Sequence, residues 1–184
     1  MDPPHTSTSL SEHLRDTLIN LHQHPYPYVP NPPNCKKRAS VAVIIRIRPS
    51  YNHWPTKAPF KPNHQTSSTE QLLKDFFSQD WVKYGDPEIL FIKRASRVGD
   101  RWTGHVALPG GRRDPGDVDD KAAAIRETWE EVGLDISTDD SIYVSNLPER
   151  VIATSWGNVP YVTIFASIIS LSAYTDLKFP LPLA

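Results

Sequence analysis

Residues 109–134 read PGGRRDPGDVDDKAAAIRETWEEVGL. At about 100° of rotation per residue, a helix through this stretch has two unlike faces. Ala122, Ile125, Trp129 and Val132 fall within about 80°, the expected core-facing stripe. Glu127, Glu130 and Glu131 stand at i, i+3 and i+4, within about 100° on another side. Asp117, Asp119 and Asp120 lie at or before the first turn, where acids cap free N–H groups and oppose the positive end of the dipole. Gly133 is placed to end the helix. Like charges three or four residues apart cost about 0.2–0.5 kcal/mol per pair on an exposed helix. The counterweight nearest in sequence is Arg126. A hard divalent cation would also remove the repulsion, because Mg²⁺ takes carboxylate oxygens and keeps waters that substrate phosphates can replace. The Gly110-Gly111 turn lets backbone approach a ligand or offer a carbonyl.

Outward from this helix, the pattern is mixed α and β. Leu10, Leu14, Leu18 and Leu21 recur at helical intervals and predict a helix over 10–22, with Ser9 and Glu12 at capping-box spacing. Residues 39–48 (ASVAVIIRIR) predict a strand. Ser67 and Glu70 form a second capping box before a helix TEQLLKDFF. Residues 88–94 (EILFIKR), 150–153 and 159–171 predict further strands, the last so apolar that it is expected to be central. Eleven of the 18 prolines precede residue 63. They make 24–34 and 48–68 connectors, because proline lacks the N–H and fixes φ. The expected division is an N-terminal helix and proline-rich linker over 1–38, a folded domain over 39–172, and an irregular tail over 173–184.

Composition sets the class. The chain has 184 residues, enough for one domain with tails. Twenty Lys plus Arg against 21 Asp plus Glu leave a net charge of −1. That balance gives no electrostatic reason to expect nucleic acid or an anionic membrane as partner. Cys35 is the one cysteine, which excludes an intramolecular disulfide framework and a multi-cysteine zinc site. It fits a reducing compartment, whether cytoplasmic, mitochondrial or peroxisomal. No stretch reaches the ~18–20 apolar residues of a membrane helix, and the N-terminus does not read as a secretory signal.

Together the glycine turn and the Arg126-Glu127-Thr128-Trp129-Glu130-Glu131-Val132-Gly133-Leu134 run resemble the Nudix box. Thr128 departs from the pattern, where an aliphatic residue is usual. Counting from Gly111, Asp117 stands where the box has Glu, and eight residues rather than seven separate it from Arg126. That insertion resembles the coenzyme A diphosphatase branch. So does the stretch Trp102-Thr-Gly-His-Val-Ala-Leu-Pro-Gly-Gly, with Trp102, His105 and Leu108 in place of that branch's His, Gln and Phe.

The resemblance implies a Nudix-type α/β/α sandwich with a mixed sheet, acting as a metal-dependent diphosphatase. Glu127, Glu130 and Glu131 would bind Mg²⁺ or Mn²⁺, with the Gly110 carbonyl a further ligand. Arg126 would orient the carboxylates, and Glu127 or Glu131 would hold or deprotonate water. Arg94, Arg112 and Arg113 are candidate phosphate contacts. The expected partner is a small nucleoside diphosphate derivative: coenzyme A or an acyl-CoA, or else a nucleotide sugar, dinucleotide or oxidised nucleotide. His105 sits in an apolar run and is expected to be structural; Trp102 and Trp156 are stacking candidates. After Glu149 the only acid is Asp176. The tail LSAYTDLKFPLPLA suits neither a strand nor a helix, so a shortened domain with impaired activity is also an expectation.

Overall fold

In the computed structural model the described residues are 10–31, 33, 37–55, 60–96, 98, 104–154 and 161–172, and of 152–154 and 161–172 only the strand itself. Ser9, Cys35, Trp102, Trp156 and the tail 173–184 lie outside them. The elements run α1 (Leu10–Gln23), β1 (Lys37–Arg48), α2 (Thr69–Phe77), α3 (Asp80–Lys83), β2 (Asp86–Ile89), β3 (Ile92–Lys93), β4 (Val106–Ala107), β5 (Gly110–Arg112), α4 (Asp120–Val132), β6 (Ser141–Thr154) and β7 (Tyr161–Ser172).

The sheet is mixed. Its order is β2-β1-β7-β6, with β5 also paired to β1. The apolar β7 lies inside it, parallel to β1 and antiparallel to β6. β1 has buried residues of both parities because helices cover both faces. Ile45 and Ile47 join Leu18 of α1, Leu73 and Phe76 of α2, Val82 of α3 and Ile142 and Val144 of β6 in one apolar cluster. Ala42 and Ile44, of the other parity, pack with Ala124 of α4 and with Ile136. This is an α/β/α sandwich. Phe76 is the hub of the larger cluster, meeting Phe60, Phe77 and Trp81 edge to face. Each fully buried Leu, Ile or Phe contributes about 1.5–3 kcal/mol. Leu18 places α1 in that same core, and the Ser11 hydroxyl ties it down by donating to the Val82 carbonyl at 2.9 Å.

Several local expectations are corrected. The run 88–94 does not make one strand: β2 pairs with β1, whereas β3 leaves to pair with β4. The strand expected at 150–153 starts far earlier, at Ser141. α2 is capped by Ser68, which accepts from Gln71 N–H, rather than by Ser67. On α4 the buried residues are Ala123, Ala124 and Thr128, while Trp129 is 58% exposed. Ala42 of β1 and Ala124 share one buried cluster, Ile125 of the expected stripe packs against it, and Trp129 is turned out. Thr128 is tolerated there because its hydroxyl donates to the Ala124 carbonyl at 2.7 Å.

Candidate active site

α4 begins and ends as its sequence dictates. The Asp119 carboxylate caps it by accepting from Ala122 N–H at 2.7 Å. Gly133 closes it in the left-handed region at φ 65°, donating to the Trp129 carbonyl. In front of the helix, β5 lays the glycine turn along β1: Gly110 pairs with Val41 and Gly111 with Ser40.

The two glycines do different work. Gly110 has φ 146°, and a Cβ there would lie 2.5 Å from Val41 Cα and against the Ser40 carbonyl oxygen. Gly111 faces the helix instead. A Cβ on it would fall on the Glu127 carboxylate, 2.6 Å from Oε1. The missing side chain of Gly111 is therefore the space in which Glu127 sits. Gly111→Ala is expected to keep the fold and displace Glu127, lowering turnover at least tenfold while the melting temperature moves by a few degrees at most. Parallel rate and melting measurements check this.

The three glutamates of α4 and the two glycines line one cleft of about 680 Å³, together with Lys93, Arg94 and Arg112. Of the residues expected at the site, Glu127, Glu130, Glu131, Gly110, Arg94 and Arg112 are thus brought together. Glu131 Oε2 accepts from Gly110 N–H at 2.8 Å. Burial pushes the Glu131 carboxyl above the usual range; the Gly110 N–H opposes that, and Glu127 and Glu130 add to it. Arg94 pulls in the opposite direction.

Arg126 does not line the cleft but holds its wall in place. Its Nε and Nη2 grip both oxygens of Asp117, at 3.1 and 2.9 Å. Nη1 donates to Glu127 at 3.0 Å and to Glu130 at 3.3 Å, and Nη2 also reaches the Arg112 carbonyl. Asp117 is held well below the usual carboxylate range, chiefly by Arg126, and also accepts from Asp114 N–H. The residue at the box's displaced acid position is therefore a partner of Arg126. Arg113 points away from the cleft, into the loop before α4. It donates to the Val118 carbonyl at 2.9 Å and approaches Asp120 at 3.5 Å. His105 is exposed, and its carbonyl accepts from Arg94 N–H.

Among the described residues no group of three His, Cys, Asp or Glu side chains is gathered to hold a metal ion. Glu127 and Glu130 are turned to Arg126, and Glu131 to Gly110. The donor chemistry nevertheless fits a hard divalent cation, because three carboxylates line one cleft beside a glycine turn. Glu127 gives Arg126 only Oε1 and Glu131 gives Gly110 only Oε2, so each keeps a second oxygen for an ion without leaving its partner; Glu130, whose two oxygens stand 3.3 and 3.4 Å from Arg126 Nη1, must turn to join them.

Sequence reading missed Lys93 and the buried set around Arg38. Lys93 gave no signal because it sits in a run that reads as an ordinary strand. Arg38 binds Asp120 and Glu149, which lie 82 and 111 residues further along the chain. No local spacing announces such a contact. Glu149, the last glutamate, is thereby engaged away from the cleft.

Residues 81–165 match the family model of the NUDIX domain. An uncharacterized protein of Schizosaccharomyces pombe is 36% identical over 153 residues, 81% of this chain and 39% of that protein. The mitochondrial coenzyme A diphosphatase NUDT8 of Mus musculus is 46% identical over 52 residues, 28% of this chain and 25% of that protein. The peroxisomal coenzyme A diphosphatase NUDT7 of Mus musculus is 50% identical over 72 residues, 39% of this chain and 28% of that protein. The chain thus spans less than half the length of each of these relatives. No helix among the described residues is long and apolar enough to cross a membrane. The glycine turn and all of α4 lie inside the span that matches the NUDIX domain.

Proposed function

We propose that this protein hydrolyses the diphosphate linkage of a nucleoside diphosphate derivative in a divalent-metal-dependent reaction, with coenzyme A or an acyl-CoA as substrate. The observation that carries the reading is the cleft itself: Glu127, Glu130 and Glu131 face it beside a glycine turn, and Lys93, Arg94 and Arg112 line it too. Acids alone would repel a diphosphate; cations alone would bind it without activating water. The combination suits phosphoryl transfer.

Water adds to one phosphorus, the bridging P–O bond breaks, and the other phosphate leaves with the bonding pair. Two phosphate-terminated products result. Glu127, Glu130 and Glu131, with the Gly110 carbonyl, would hold Mg²⁺ or Mn²⁺, which would supply charge neutralisation and a more acidic water. Glu131 takes the water's proton at Oε1, the oxygen opposite its Gly110 bond. Arg126 fixes Glu127 and Glu130. Arg94, Arg112 and Lys93 receive the phosphate oxygens.

Coenzyme A is preferred over other diphosphates because the partial matches to coenzyme A diphosphatases agree with the eight-residue spacing from Asp117 to Arg126. Competing rates on coenzyme A, ADP-ribose and a dinucleotide test it. At least tenfold higher kcat/KM on coenzyme A is expected; a faster rate on another member reassigns the substrate.

Metal removal gives a separate check. EDTA-treated protein is expected to lose turnover and recover it with Mg²⁺ or Mn²⁺. A ligand that binds only the folded state adds about 2.7 kcal/mol at a hundred times its Kd, so the melting temperature rises with metal concentration. Full activity in EDTA would remove the metal from the account.

A further inference from the structure

Arg38 is a charge held inside the fold, 5% exposed. Its Nη2 reaches Asp120 at 2.5 Å and Glu149 at 2.8 Å, and its Nε reaches Asp120 at 3.0 Å. Nη1 donates to the Val29 carbonyl and to Asn31 Oδ1, at 2.8 and 3.0 Å. The Tyr28 ring stacks on the guanidinium, with its centroid 4.5 Å from Cζ. Asp120 is the first residue of α4, so Arg38 holds the start of the helix that carries the three glutamates.

From there the charges alternate toward the cleft. The Arg38 carbonyl accepts from Arg113 N–H at 2.9 Å. Arg113 meets Asp120 at 3.5 Å and donates to the carbonyls of Asp117 and Val118. Asp117 grips Arg126, and Arg126 grips Glu127 and Glu130. Each member has one partner nearer Arg38 and one nearer the cleft.

We propose that Arg38 is a positioning residue for the cleft: through Asp120, Arg113 and Asp117 it sets where Arg126, Glu127 and Glu130 stand. The inference rests on the hydrolytic reading above. A purely structural ion group would stabilise the fold and leave catalysis unmoved.

Removing Arg38 alone would leave Asp120 and Glu149 buried without a counter-charge, and such a variant can simply fail to fold. The test is therefore the triple variant Arg38→Met, Asp120→Asn, Glu149→Gln. Neutralising a whole buried ion group is often tolerated. Its melting temperature is expected within about 4 °C of wild type, a shift on the order of the smallest routine destabilisation in a chain of this length. The expected result is a roughly tenfold fall in kcat with KM for substrate unchanged, and a roughly tenfold weaker Kd for Mn²⁺ measured without substrate, as for other residues that orient metal ligands. Wild-type kcat and Mn²⁺ affinity in a folded triple variant would overturn the proposal.

A second reading needs no activity. The Arg126 Nε–H nuclear magnetic resonance signal should be sharp and slow to exchange in wild type, and broadened or lost in the triple variant. If wild type neither hydrolyses diphosphates nor binds Mn²⁺, the functional reading has failed. The Arg126 signal then decides the positioning alone: unchanged in the triple variant, it refutes it. If the triple variant does not fold, Arg38→Lys keeps the charge but loses the two-pronged fork, and the same signal and Mn²⁺ titration decide in the same way.

Discussion

Glu131→Gln is expected to lower turnover about a hundredfold or more, the usual scale for loss of a general base, while leaving the fold intact. The glutamine is isosteric, and its carbonyl oxygen can still accept from Gly110 N–H. What disappears is a charge that its surroundings disfavour. Glu131 is pushed up by burial and by two neighbouring carboxylates. A carboxyl raised in the folded state contributes stability below its unfolded pKa, and that stability is lost as pH rises through the folded value. At neutral pH in EDTA the wild type therefore carries a destabilising charge that the variant lacks. The metal-free variant should melt at the same temperature or slightly higher, and the gap between the two should shrink as pH falls below the usual glutamate range. Unchanged turnover with lowered stability would instead make the acidic wall a structural feature.

Gly110→Ala should have the largest effect on the fold. Its φ of 146° lies where side chains are rarely accommodated, and the added methyl would meet the backbone of Ser40 and Val41 on β1. Nothing flexible stands in the way to yield. A destabilisation of about 3 kcal/mol or more is expected, from backbone strain and loss of the β5 pairing together. Denaturant titration measures it. The contrast with Gly111→Ala is informative, because the neighbouring methyl meets only the end of the Glu127 side chain. Equal losses of stability at the two positions would contradict the division of roles.

The sequence was legible where short-range rules decide. The spacing of Glu127, Glu130 and Glu131, the stop at Gly133 and the apolar repeat of α1 all depend on residues within one or two turns. α2 spans the nine residues TEQLLKDFF as expected. The central place of β7 follows from its largely apolar sequence.

Legibility failed where distant contacts decide. Hydrophobic size put Trp129 in the core stripe, but the cluster α4 shares with β1 holds Ala124 and Ile125, and Trp129 is left exposed. Residues 88–94 look like one strand, yet β1 has partners only for the first part, and the rest pairs with β4. Arg113 and Arg112 are neighbours of one type: Arg112 opens onto the cleft, and Arg113 holds the loop before α4. Only the extension of β5 along β1, with alternate residues on opposite faces, separates them.

The Glu127, Glu130 and Glu131 wall, in one cleft with Lys93, Arg94 and Arg112, is proposed to perform metal-dependent cleavage of a diphosphate. Its most direct test is phosphorus nuclear magnetic resonance of coenzyme A incubated with the purified protein, with Mg²⁺ or with EDTA, in ¹⁸O-labelled water. The account predicts two phosphate-terminated products in Mg²⁺, with ¹⁸O in one of them. It predicts neither in EDTA, and about a hundredfold slower formation of both with Glu131→Gln. A folded protein that leaves coenzyme A and the other diphosphates of the panel uncleaved in Mg²⁺ and in Mn²⁺ would contradict it.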